Sequence, residues 1–295
     1  MPKTGTTVLL ALLAGASVAE AQQPASLTAK TSAAGPPRGS AKATIVLVHG
    51  AFADATGWQL LIPILQQDGY KVVAVQNAMA SLAGDVETTK RLIDAQSGPI
   101  VVVGHSYGGA VITGAAAGNA NVKALVYLAA FAPEPGEPVA AFLEKYPVDL
   151  GTATVKDAAG YLTVDVAKFH DVFAADRPKR ETDVMAVAQK PINGATFGQS
   201  VSAAAWKTIP SWYVVTQHDH AINPELQRFY AKRIKGRTTE IASSHVAFIS
   251  HPREVAKVIV EAAESSKRVS AAPAQRAHHA ITVRHAVDHR PIEGQ

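Results

Sequence analysis

The chain has 295 residues, 47% of them hydrophobic, which is enough to bury one large core without internal repeats. It has no cysteine, which excludes disulfides, a thiolate nucleophile and cysteine-ligated metals. The net charge of +4 resides mostly at the end, where Lys267, Arg268, Arg276, Arg284 and Arg290 outnumber Asp288 and Glu293 by three. The remainder is nearly neutral and offers no nucleic-acid-binding face.

Residues 1–21 carry Lys3, an apolar run from Val8 to Val18 and the triplet Ala19-Glu20-Ala21, the pattern of a cleavable signal peptide. The run is short for a membrane span, and an uncleaved anchor is the alternative. Export to the periplasm or medium follows, with no stable membrane association after cleavage. Residues 22–43, rich in Ala, Ser, Thr, Gly and Pro, are expected to form a flexible linker. Residues 44–50 give the first strand, ending in His49-Gly50-Ala51-Phe52. An amphipathic helix is expected over Trp58–Gln67 and stopped by Asp68-Gly69. A strand follows over Lys71–Gln76, then a helix over 84–96 whose Asp85 and Glu87 suit the helix dipole.

Residues 99–118 order the rest of the chain. Ile100 to Val103 form a β-branched apolar strand, Gly104-His105-Ser106-Tyr107-Gly108 matches G-x-S-x-G, and an Ala/Gly-rich helix follows. A turn this tight strains the central serine, and side chains at the glycine positions would strike the neighbouring strand and helix. Val122–Ala129 is a further apolar strand. Alternating helices and apolar strands indicate a parallel sheet covered on both faces. An H-G turn at an earlier strand end is where such a fold supplies a second oxyanion donor, here the N–H of Ala51 or alternatively Phe52. His49 is assigned to bracing that turn.

The alternation breaks over 132–207, read as a cap with helical patches near Val139–Tyr146, Val166–Ala174 and Glu181–Gln189. Its aromatics Phe142, Tyr146, Phe169, Phe173, Phe197 and Trp206 are candidates for pocket lining or simple packing. The sheet resumes at Ser211–Thr216 and leads into Asp219 and a helix over Glu225–Ile234. Thr238–Ala242 is the last strand, His245 follows it, and a helix runs from about Pro252 to Glu264. The core is thus 44–131 and 208–264. The polar tail over 265–295, with its four histidines, is expected to be disordered.

The elbow, the H-G turn, the block Asp219 to Pro224 and the block Ser244 to Pro252 stand in the order Ser…Asp…His. Together they resemble the α/β-hydrolase superfamily over about residues 43–264, within its branch of small serine esterases. The resemblance implies an α/β-hydrolase fold with a mostly parallel sheet of about six strands, flanked by helices and carrying a helical cap. Two strands that usually precede the H-G strand are not evident. The implied chemistry makes Ser106 the nucleophile, His245 the base and Asp219 the acid that orients it, with oxyanion donors at Ala51 and Tyr107. Glu134 is the alternative acid, since some relatives place it after the preceding strand. No metal and no organic cofactor are required, and the expected partner is a small, fairly apolar ester.

Other chemistries share this scaffold. Similar hydroxynitrile lyases replace the glycine of the H-G turn by threonine and follow the histidine with lysine. Gly50 and Val246 lack both marks. Ser106 stands where dehalogenases and epoxide hydrolases carry aspartate. A cofactor-free oxygenase, a perhydrolase activity or a non-catalytic binding protein remain alternatives, because fold alone does not define reaction.

Overall fold

A computed structural model describes residues 42–265. The proposed signal peptide, linker residues 22–41 and tail residues 266–295 lie outside the described residues. In chain order the strands are β1 (Thr44–Val48), β2 (Lys71–Val75), β3 (Ile100–His105), β4 (Val122–Leu128), β5 (Thr154–Lys156), β6 (Tyr161–Val164), β7 (Ile192–Asn193), β8 (Ser211–Thr216) and β9 (Arg237–Ile241). The helices are α1 (Ile62–Gln67), α2 (Leu82–Asp94), α3 (Tyr107–Ala115), α4 (Leu150–Ala153), α5 (Phe169–Phe173), α6 (Lys179–Ala188), α7 (Pro224–Arg233), α8 (Ala247–Ser250) and α9 over 252–265. Ala43 is already buried, so core packing begins one residue before β1.

Six strands form a parallel sheet in the order β2-β1-β3-β4-β8-β9. Every residue of β1, β3 and β8 is buried, as apolar strands covered on both faces require. β9 lies at the edge, where Arg237 to Glu240 are exposed and their polar side chains discourage pairing with another sheet. The chain leaves β1 toward β2, then crosses back to β3 on the other side. The crevice at the carboxyl ends of β1 and β3 is therefore a topological switch point, where open α/β sheets place their ligands.

Three helical expectations change. The segment expected as one helix from Trp58 divides into a 3₁₀ turn over Ala55–Leu60 and the short α1. Asp54 caps the first, accepting from Thr56 N at 2.7 Å, and Pro63 at the start of α1 favours a fresh helix beginning there. The cap, expected to be helical, also holds an antiparallel sheet, β5-β6-β7. Its strands have two to four residues, too short for an alternating pattern to register. The patch Val139–Tyr146, expected to be helical, is a run of turns between Pro138 and Pro147. Its bonds run from Leu143 N to Ala140 O and from Tyr146 N to Phe142 O. Of the other two patches, Val166–Ala174 contains α5, and Glu181–Gln189 overlaps α6, which begins two residues earlier at Lys179.

Candidate active site

Ser106 sits between β3 and α3 with φ 54° and ψ −123°. A non-glycine residue held there stores roughly 1–3 kcal/mol of strain. Three backbone bonds hold it: Ser106 N donates to Leu128 O at 3.0 Å, while Ser106 O accepts from Gly109 N at 3.0 Å and Phe131 N at 3.1 Å. The flanking glycines allow the close approach. A Cβ at Gly104 would stand 2.6 Å from Gly108 O, and one at Gly108 would stand 2.5 Å from Val48 O. Tyr107 is the first residue of α3, so its N–H has no acceptor within the helix and remains available to an anion.

The H-G turn lies directly against the elbow. A Cβ at Gly50 would stand 2.7 Å from Ser106 Cβ, so position 50 has no room for the threonine of the lyases. Ala51 borders the same cavity as Ser106. His49 is buried, with Nε2 accepting from Asn77 N at 3.1 Å. Nδ1 then carries the proton and donates to Gly50 O at 3.0 Å. Burial, aided by the charge of Lys190, holds its pKa below the usual range, so the ring stays neutral. His49 is thus a brace within the turn.

His245 follows β9 and is buried. Its Nδ1 donates to Asp219 Oδ2 at 2.7 Å. The Asp219 carboxylate accepts four further bonds: Thr216 Oγ1 at 2.7 Å and Gln227 Nε2 at 2.8 Å on Oδ2, and Ala221 N at 2.7 Å and Ile222 N at 2.8 Å on Oδ1. Five donors satisfy the buried carboxylate as an acceptor. They also fix it against rotation. His245 Nε2 is left with no hydrogen-bond partner among the described residues. The bond from such a base to its nucleophile often tightens only when substrate is bound. Glu134 is elsewhere: it pairs with Lys207 at 2.6 Å at the start of the cap, in a partly exposed position.

Several residues near the site carried no sequence signal as functional positions. His105, the variable residue of the elbow motif, is buried and donates from Nε2 to His245 O at 3.0 Å. Burial pushes its pKa well below the usual range, so it ties the histidine loop to the elbow as a neutral ring. Gln227 is fully buried on α7, and its amide joins Asp219 to Thr216. Asp176, in the cap, accepts from Ser243 Oγ at 2.7 Å, Ser244 N at 2.9 Å and Ser244 Oγ at 2.5 Å, directly before His245. Desolvation opposes its charge, but those bonds outweigh it and hold the carboxyl below its usual range.

Ser106 opens into a cavity of about 430 Å³ with mainly apolar walls. Phe131, Leu143, Leu162, Phe173 and Phe197 line it, together with Ile222 beside Asp219. Phe173 also lies 5.1 Å from the His245 ring, centroid to centroid. Of the other cap aromatics, Phe169 borders a separate outer cleft of about 740 Å³ that shares Phe52 and Phe173 with the cavity. Phe142 and Tyr146 pack on Phe229, and Trp206 Nε1 donates to Pro133 O at 3.2 Å. Those three stabilise the cap and do not line the cavity. No cluster of three metal-ligating side chains occurs among the described residues.

A strained serine at a sheet's switch point, with a buried His–Asp pair beside it and an apolar cavity above, defines the protein as an α/β hydrolase scaffold with serine chemistry at its centre. Residues 45–258 match the model of the alpha/beta hydrolase family, and the chain belongs to that family. A probable hydrolase, R7, of Phoma sp. is 26% identical over 75% of this chain and 98% of its own length. A carbendazim hydrolyzing esterase of Nocardioides sp. is also 26% identical, over 73% of this chain and 97% of its own. The solved structure of polyneuridine aldehyde esterase superposes with a TM-score of 0.66 at 19% identity, covering 75% of this chain and 99% of that one.

Proposed function

We propose that the protein is a serine carboxylesterase acting on small, largely apolar esters. The observation that carries this reading is the Asp219–His245 pair at 2.7 Å beside an elbow serine that opens into an apolar cavity. A serine hydroxyl is a weak nucleophile until a neutral imidazole takes its proton. Nε2 of His245 takes the proton as Ser106 Oγ attacks the ester carbonyl carbon. Asp219 holds the proton on Nδ1 and stabilises the imidazolium that forms. The N–H groups of Ala51 and Tyr107 receive the oxyanion, and each such donor is worth about 2.7–4 kcal/mol in the transition state. The tetrahedral intermediate then expels the alcohol, protonated by His245. Water hydrolyses the acyl-enzyme by the same proton route. Relatives with esterase names and the apolar cavity walls favour this reading over an amide or peptide substrate.

The test is a chain-length series of p-nitrophenyl esters with Ser106→Ala beside the wild type. Hydrolysis by the wild type, loss of it in the variant and organophosphate labelling of Ser106 alone are expected. Full activity in Ser106→Ala sinks the assignment. Export is part of the proposal and rests on the residue pattern over 1–21. Mass spectrometry of secreted protein should find a mature terminus at Gln22, and an intact Met1 in a membrane fraction would contradict it. Among the described residues no helix is long and apolar enough to cross a membrane.

A further inference from the structure

The cap reaches the oxyanion turn through a chain of hydrogen bonds. Lys190, in the cap between α6 and β7, donates from Nζ to Asn77 O. Asn77 is fully buried in the loop between β2 and α2, and its N–H donates to His49 Nε2 at 3.1 Å. His49 Nδ1 donates to Gly50 O at 3.0 Å. Gly50 O and the N–H of Ala51 belong to one planar peptide unit, so fixing the carbonyl fixes the direction of the N–H. We propose that Lys190 is a positioning residue through which the cap sets the orientation of the Ala51 oxyanion donor. The inference rests on the serine-esterase reading of the site.

Three further observations support it. The same loop is pinned to the cap by Asn193 N to Met79 O at 2.9 Å, and the first residue of α2 by Leu82 N to Gln199 Oε1 at 2.7 Å. Met79 holds φ 63° and is fully buried, so the loop conformation depends on these external bonds and on Asp85, which accepts from Met79 N at 3.1 Å. Asp85, in the first turn of α2, also accepts from Tyr107 Oη at 2.9 Å, so the carboxylate that holds this loop also holds the side chain of the residue carrying the second oxyanion donor. Finally, the relay needs a neutral His49, because a protonated ring would aim a second donor at Asn77 N–H. The charges acting on His49 are Lys190, which opposes protonation, and Asp54, which favours it; His105 is the neighbouring titratable ring. Lys190 thus supplies both a hydrogen bond and a field of the required sign.

Lys190→Met keeps the aliphatic stem and removes the donor and the charge. Lys190→Arg restores both. Turnover of the smallest p-nitrophenyl ester is measured, together with affinity for a trifluoromethyl ketone, whose hemiketal oxyanion mimics the transition state, and for the matching unreactive amide. Complete loss of one oxyanion donor costs about 10²–10³ in kcat, so misorientation through Lys190→Met should cost about tenfold. The fluoroketone affinity should fall by the same factor, with KM and amide affinity unchanged, and Lys190→Arg should recover most of both. A Lys190→Met enzyme with wild-type kcat and fluoroketone affinity overturns the relay, as does an equal loss of amide and fluoroketone binding. A wild type that neither hydrolyses the ester nor binds the fluoroketone refutes the esterase reading and the relay together.

Discussion

Asp219→Asn is the most demanding test of the proposed triad, because the carboxylate is enclosed by donors. Oδ2 accepts from His245, Thr216 and Gln227, and Oδ1 accepts from the Ala221 and Ile222 amides. An asparagine has one oxygen to offer. With the oxygen toward the two amides, its NH₂ faces the His245 Nδ1–H, and the imidazole must move its proton to Nε2. That tautomer cannot accept the serine proton. With the oxygen toward His245, two buried backbone donors face an NH₂ and lose their partners, at about 1–3 kcal/mol each. The first arrangement sacrifices fewer fixed groups, since Thr216 can rotate its hydroxyl and Gln227 Nε2 keeps Ile222 O as an acceptor at 2.8 Å. The expected result is a fold that survives with a fall in kcat of about 10⁴, the loss seen when an orienting carboxylate is neutralised in the best-known triad. Stopped assays on the smallest ester, with urea denaturation to confirm the fold, read both quantities. Glu134→Gln is the companion, and its activity should match the wild type because the Glu134 carboxylate pairs with Lys207 at the start of the cap. An Asp219→Asn enzyme retaining more than about a tenth of wild-type kcat refutes the argument, and a collapse in Glu134→Gln moves the acid there.

Phe197→Ala should enlarge the cavity and raise relative rates on longer acyl chains, whereas Phe142→Ala should leave the chain-length profile unchanged, because Phe142 packs on Phe229 outside the cavity. A profile moved by Phe142→Ala and not by Phe197→Ala would contradict the cavity assignment. Stability should fall as pH drops from 7.5 to 5.5. Burial holds His49 and His105 below their usual pKa, so the unfolded chain binds protons that the folded chain refuses. The sign is a loss of stability on acidification below about 6.5, steepening toward at most roughly 1.4 kcal/mol per pH unit for His105, with His49 adding a loss of the same sign. Urea midpoints measured across that window check it, and a flat profile would mean the two rings bind protons in the folded state.

The sheet was legible because its strands are apolar without interruption: Ile45 to Val48 and Ile100 to Val103 leave no polar face to assign to solvent. The elbow was legible because close approach leaves a chemical trace, glycine at 104 and 108, within five consecutive residues. The cap sheet was not, since β5 and β7 are brief and β5 is largely exposed, so neither alternation nor a buried run marks them. The expected helix at Val139–Tyr146 failed for a related reason. Pro138 and Pro147 bound it, and its aromatics Phe142 and Tyr146 are held by Phe229 on α7, a contact that local spacing cannot reveal.

The carboxylates around the site show where reading by residue type stops. Asp54, Asp85, Asp176 and Asp219 look alike in the sequence, and Asp85 was assigned to a helix dipole. In the fold each answers a different donor. Asp54 caps a turn through Thr56; Asp85 holds the Tyr107 phenol and is pushed up in pKa by burial; Asp176 grips the two serines before His245. Asp219 alone meets an imidazole. Motif order could nominate it, because the block at Asp219 precedes a strand and His245 follows it, but motif order could not supply the five donors. Thr216, Gln227 and His245 lie on β8, on α7 and after β9, and only the sheet brings them to one carboxylate. Chemistry that depends on a single short bond is nominated by sequence. The restraint that makes the bond permanent is distributed over residues such as Gln227 and His105, whose neighbours along the chain give no reason to single them out.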